Sequence, residues 1–192
     1  KSTLIKLILG LYKPSDGEIK VNQLNMQDID LMNYYNNLSV VFQDFNFVDG
    51  ISIRENMGID SLNKQELFTE LADRYNFPLV KDIECDYSKS FSEEGFELSG
   101  GEKQKLAVIR ALLRDGKIVI FDEPTSAIDP VTEEKIFSDL RKNTRGRMTI
   151  FITHNHNMAK YADEVLILDK GNLLAHGSFE EIRKKELLYD SE

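Results

Sequence analysis

Short, nearly uninterrupted apolar runs alternate with helical periodicity along this chain, and that alternation constrains the fold more than any other feature. Leu38 to Phe42, Ile118 to Phe121, Thr149 to Thr153 and Glu164 to Leu168 read as strands with little polar alternation. A strand wetted on one face alternates, whereas one covered on both faces does not, so these runs predict a largely parallel sheet flanked by helices. The fold class is α/β. Residues 3–12 carry Leu4, Ile5, Leu7, Ile8 and Leu11 at helical spacing, and Lys13-Pro14-Ser15-Asp16-Gly17 stops that helix before a strand near Glu18 to Val21. Further helices are expected at 101–114, where Leu106, Ile109 and Leu113 share a face, at 131–145, and at 178–188. The 131–145 helix opens on Glu133 and Glu134 and closes on Arg141, Lys142 and Arg145, which complements the helix dipole. Asp169-Lys170-Gly171-Asn172 predicts a hairpin from the last apolar run into Leu173, Leu174 and Ala175. Residues 52–97 contrast with this, reading as short helical pieces such as Lys64 to Tyr75, broken by Pro78 and a charged loop. They are expected to form a helical subdomain inserted between 1–51 and 98–192, which together make the α/β core.

Composition excludes several function classes. The 192 residues include 41% hydrophobic ones, enough for a core and against disorder. Lys and Arg number 24 against 33 Asp and Glu, a net charge of −9 that argues against a nucleic-acid partner held through phosphate neutralisation. Leu4 to Leu11 is interrupted by Lys6 and falls far short of the roughly 18 residues of a transmembrane helix, and no secretory signal opens the chain. The single cysteine, Cys85, cannot form an internal disulfide, which fits a reducing compartment. Arg183-Lys184-Lys185 has acidic neighbours on both sides and reads as a solvated helix face. Tyr34 and Tyr35 read as packing residues and His176 as a surface residue.

Chemistry concentrates at a few places. Leu98-Ser99-Gly100-Gly101-Glu102 stands immediately before a helix, so backbone N–H groups and a hydroxyl are offered where the dipole is positive. Phosphate could sit there, although Ser-Gly-Gly serves equally as an ordinary helix cap. The strand Ile118-Val119-Ile120-Phe121 then ends in Asp122-Glu123-Pro124, two carboxylates at the strand end where open α/β sheets bind ligands. Paired acids there are costly without a cation or a proton. His154 and His156 are two apart and would share a strand face, yet no third metal ligand accompanies them.

These residues resemble the ATP-binding cassette (ABC) ATPases, and the resemblance covers essentially the whole chain. Leu98 to Gly101 is similar to that family's signature motif, Asp122-Glu123 to its Walker B, and Ser126-Ala127-Ile128-Asp129 to its D-loop. Gln43, in Val41-Phe42-Gln43-Asp44, resembles the Q-loop, and His154 the switch histidine. Lys1-Ser2-Thr3 resembles the last part of a Walker A loop. The order and spacing agree throughout. The resemblance implies a P-loop NTPase-like parallel sheet core with an inserted helical subdomain, with ATP and Mg²⁺ as cofactors.

The resemblance also implies roles. ATP held by Lys1, Ser2 and Thr3 would be covered by Ser99, Gly100 and Gly101 of a second nucleotide-binding domain, so that two chains sandwich two nucleotides, with Asp129 in the D-loop at the same nucleotide site. Mg²⁺ would be held by Ser2, Gln43 and Asp122. Glu123 would be the general base toward the attacking water, and His154 would hold the γ-phosphate. The segment between Gln43 and Leu98 is too short for the long coiled coil of chromosome-maintenance relatives. Ser52-Ile53-Arg54-Glu55-Asn56 is similar to a segment of exporter-type cassettes, and Glu93-Glu94-Gly95 resembles their X-loop imperfectly. An exporter is therefore expected, working from the cytoplasmic side of the cell membrane. A coupling helix of a transmembrane domain would dock near the Q-loop, where Phe42, Phe45, Phe47 and Val48 are either its contacts or part of the subdomain core.

Some features depart from the family pattern. The chain starts at the Walker A lysine, so the preceding glycines, the strand before them and the adenine-stacking aromatic are not in it. The expectation is a fragment that binds ATP poorly and hydrolyses it negligibly. Glu102 replaces the commoner glutamine and Ile128 the commoner leucine, and the carboxylate is expected to oppose closure slightly. Besides an active transport ATPase, a non-hydrolytic regulatory copy and a soluble factor acting on ribosomes stay open at this point.

Overall fold

The computed structural model describes residues 1–77, 83–84, 98–125 and 128–184. In chain order the elements are α1 (Ser2–Ile8), β1 (Lys20–Val21), β2 (Leu24–Asn25), α2 (Leu31–Asn36), β3 (Leu38–Val41), α3 (Ile53–Met57), α4 (Leu62–Arg74), α5 (Gly100–Leu113), β4 (Ile118–Asp122), α6 (Pro130–Asn143), β5 (Met148–Ile152), β6 (Val165–Asp169), β7 (Asn172–Gly177) and α7 (Phe179–Lys184). They group into two compact units, Lys1–Asn37 with Ile152–Glu192, and Leu38–Phe151. Cys85, Pro78, the Glu93-Glu94-Gly95 segment, Ser126-Ala127, Lys185 and the end of the helix expected at 178–188 lie outside the described residues.

In the Leu38–Phe151 unit the sheet runs β3-β4-β5, with β3 and β4 parallel and paired from Leu38↔Ile118 to Val41↔Phe121. The uninterrupted apolar run of β4 is buried on both faces, as its sequence predicts. Phe121 stacks on Phe151 with ring centroids 5.2 Å apart, and Phe137 of α6 meets the same ring at 5.2 Å. The core gathers Phe68, Leu71 and Tyr75 around α4, Leu106 and Ile109 of α5, and Ile136 and Leu140 of α6. Asp139 of α6 is only 2% exposed and takes its charge partner from Arg74, at 2.5 Å. Burial first, and then the Asp139 carboxylate, push the neighbouring Tyr75 phenol well above its usual pKa, so it stays neutral.

Local chemistry places the helix starts. Ser52 and Glu55 form a reciprocal capping box at α3, as do Ser99 and Glu102 at α5. Ser61 caps α4, and Asp129 caps α6 ahead of Pro130 at the first helical position. Gly116 lets the chain pass tightly against β3, because a Cβ there would meet the Ser39 amide nitrogen at 2.8 Å.

In the other unit, α1 buries Ile5, and the Tyr34 hydroxyl donates to the Ile8 carbonyl at 2.9 Å. Tyr34 is thus a packing residue, held by α2, a short helix that the sequence reading does not anticipate. The strand expected near Glu18 to Val21 shrinks to β1, paired with β2 around Asn22 and Gln23, both at positive φ. That primed turn suits the twist of a hairpin, but only Asn is among the residues that usually signal it. The β6–β7 hairpin forms as expected, turning at Lys170 and Gly171. Ala175 of β7 and Ile182 of α7 make a small core with Val165, Ile167 and Phe179. No helix among the described residues is long and apolar enough to cross a membrane.

Candidate functional site

Lys1, Ser2 and Thr3 occupy the exposed start of α1, and the Lys1 Nζ lies 3.5 Å from Nδ1 of His154. His154 lies two residues after β5, and the two residues farthest apart in the motif order meet within one unit. His156 opens a 3-10 turn instead of continuing a strand, and no group of three or more His, Cys, Asp or Glu suited to a metal occurs among the described residues.

The remaining motif residues, Gln43, Ser99, Gly100, Gly101, Asp122, Glu123 and Asp129, lie in the Leu38–Phe151 unit. Ser99 is the exposed N-cap of α5, and a Cβ on Gly100 would point into open space. Among the described residues, nothing packs against position 100 closely enough to require a glycine there. The Ser99 hydroxyl donates to Oε2 of Glu102 at 2.6 Å, and the Ser99 amide donates to the same oxygen at 2.8 Å. These two hydrogen bonds, the hydroxyl first, hold the Glu102 carboxyl below its ordinary pKa.

Asp122 closes β4 with 7% exposure, an acid kept at the carboxyl end of the middle strand. Glu123 follows in a left-handed conformation at φ 50°, uncommon for a residue with a side chain. Its carbonyl accepts a 3.1 Å hydrogen bond from Nε2 of Gln104, a buried residue of α5. Downstream, the Thr125 hydroxyl donates to Glu133 at 2.7 Å, and Asp129 accepts from the Thr132 amide at 2.9 Å. The Thr132 amide leads the causes that lower the Asp129 pKa.

Gln43 is exposed in the loop after β3. Two clamps hold that loop. Asn56 of α3 receives the Val48 amide at 2.8 Å and donates to the Val48 carbonyl at 2.9 Å. Arg110 of α5 donates to the Asn46 carbonyl at 2.9 Å, and its guanidinium lies 4.5 Å from the Phe47 ring centroid. The four apolar residues divide accordingly: Phe45 and Phe47 pack partly against the core, while Phe42 and Val48 are 43% and 58% exposed. Gln104 and Arg110 escape a reading by motif, their sequence signal being a polar residue in an otherwise apolar stretch of helix. Asn56 stands in the exporter-type Ser52–Asn56 segment, which gives no sign of its contact with Val48.

Residues 1–126 match the family model described as ABC transporter. The chain is 34% identical over 204 residues to the subtilin transport ATP-binding protein SpaT of Bacillus subtilis, across 98% of this chain and 32% of that protein. It is 35% identical over 192 residues to the lactococcin-G-processing and transport ATP-binding protein LagD of Lactococcus lactis subsp. lactis, across 98% of this chain and 27% of the relative. It therefore spans about a third or less of the length of these relatives. Among solved structures, a bacterial Atm1-family ABC exporter with ATP bound matches with a TM-score of 0.84 and 29% identity, over 98% of this chain and 34% of that one.

Proposed function

The chain belongs to the ABC transporter family, and from that premise we propose that it binds and hydrolyses ATP to power export of a substrate across a membrane, through head-to-tail pairing with a second nucleotide-binding domain. The observation that supports this most is the acid pair at the end of the middle strand, with Asp122 buried and Glu123 turned out of the strand by its left-handed backbone. An open parallel sheet binds its ligand at that end.

In this reading Lys1, Ser2 and Thr3 hold the phosphates of one ATP. Ser99, Gly100 and Gly101 of the partner domain cover it, and the exposed Gly100, unobstructed by any described residue, suits close approach of another molecule. Asp129 acts at the same nucleotide site. Ser2, Gln43 and Asp122 would hold Mg²⁺. Their donors are all oxygens and include one buried carboxylate, a set that suits a hard cation which keeps several waters. When bound, the ion neutralises charge on the β- and γ-phosphate oxygens. Glu123 takes the proton of the attacking water, and His154, beside Lys1, holds the γ-phosphate in line.

Residues 52–97 serve as a helical subdomain on a core of 1–51 and 98–192. The coupling helix of a transmembrane domain rests on Phe42 and Val48, the exposed members of the Q-loop surface, while Phe45 and Phe47 pack partly against the core. The module then works at the cytoplasmic face of the cell membrane. The test is Glu123→Gln in the full-length protein that carries this chain. ATP turnover should fall at least a hundredfold while an ATP-bound pair accumulates. Turnover at the parent rate would remove the general-base assignment.

A further inference from the structure

We infer that Gln104 is a positioning residue for Glu123, fixing through the main chain the place from which the general base reaches water. The inference rests on the reading of Glu123 as that base. Gln104 is 0% exposed, on a stretch of α5 whose buried residues are otherwise Leu106, Ala107, Val108, Ile109 and Ala111. A carboxamide placed among such neighbours is costly unless it is hydrogen-bonded, and an apolar residue of similar volume would fill the position without that cost. Its Nε2 crosses to the Glu123 carbonyl at 3.1 Å.

That carbonyl belongs to the residue whose backbone most needs holding. A left-handed conformation is unfavourable for a residue with a Cβ and persists only where the surroundings impose it. Relaxing Glu123 from φ 50° to the ordinary region would swing its carbonyl away from Gln104 and break their hydrogen bond. The bond therefore opposes the relaxation that would re-aim the carboxylate. Because Ser99 caps α5, one rigid helix also sets the signature serine and the base in register within a single chain.

The experiment uses the full-length protein with Gln104→Met, which keeps volume and removes the donor. The kcat should fall about tenfold, with KM for ATP within about twofold and the melting temperature nearly unchanged. A purely structural role would instead lower the melting temperature and raise KM as kcat falls. In single-turnover measurements the double variant Gln104→Met/Glu123→Gln should be no slower than Glu123→Gln alone, since Gln104 acts only through the base. Parent kcat in Gln104→Met beside an inactive Glu123→Gln overturns this inference and leaves the general-base reading standing. So does an equal further loss in the double variant. Parent activity in Glu123→Gln overturns both. If Gln104→Met does not fold, Gln104→Glu, of the same shape without amide hydrogens, is judged by the same kcat, KM and double-variant criteria.

Discussion

Glu102→Gln should strengthen ATP-driven pairing, and the structure allows the size of the effect to be worked out. The Ser99 hydroxyl has one proton and gives it to Glu102 at 2.6 Å. A phosphate oxygen that took its place at the hydroxyl would lie about 2.7 Å beyond, hence about 5 Å from the Glu102 carboxylate. Two unit charges at that distance, in a partly wetted site of effective dielectric about 60, repel by about 1 kcal/mol. Head-to-tail pairing closes two such sites, so removing both carboxylates should favour association by about 2 kcal/mol, or about thirtyfold. Screening over a Debye length of about 8 Å at physiological ionic strength reduces this to about sixfold. The glutamine can still accept from Ser99, so the helix start should lose only about 0.5 kcal/mol of charge–dipole stabilisation. The assay is the ATP concentration for half-maximal association, followed by light scattering in a Glu123→Gln background where hydrolysis does not discharge the pair. It should fall most at low salt, and the advantage should shrink as salt rises. An unchanged or higher midpoint at low salt would refute the electrostatic reasoning.

Three further outcomes test the fold. Gly116→Ala should lower stability by about 2 kcal/mol or more in urea melts, because the new methyl would sit 2.8 Å from the Ser39 amide nitrogen of β3, and a loss under 0.5 kcal/mol would mean that the contact gives way easily. Phe121→Ala should cost about 3–5 kcal/mol by emptying the space against Phe151, on which Phe137 also packs, and a loss under 1 kcal/mol would show that the core closes over the gap. Glu55, Asp60, Glu102 and Asp129 all have carboxyls lowered from ordinary values of 4.5 or 3.8. Their stabilisation is complete above those values and is lost as pH falls through the lower folded ones, so the urea midpoint should drop between pH 5 and 3. A flat profile over that range would contradict the capping hydrogen bonds of Glu55, Glu102 and Asp129 and the Asp60–Lys64 contact.

The residues themselves determined much of this protein. Apolar runs without alternation specified buried strands, as at β4, because both faces of such a strand must leave water. Ser52, Ser99 and Asp129 specified helix starts, since a cap depends only on residues three positions away. The motif residues could be picked out for the same local reason, each being a short string before or after a regular element. Tertiary structure alone decided what those strings touch. Lys1 and His154 meet at 3.5 Å across nearly the whole chain, and Gln104 reaches the Glu123 carbonyl from a different element. It also separated Phe42 and Val48, left in solvent, from Phe45 and Phe47, drawn toward the core, although all four look alike in sequence. The left-handed turn at Glu123 belongs with these, because nothing in Asp-Glu-Pro announces a positive φ. Local propensity acts over a few residues, whereas such contacts depend on which distant elements the packed core brings together.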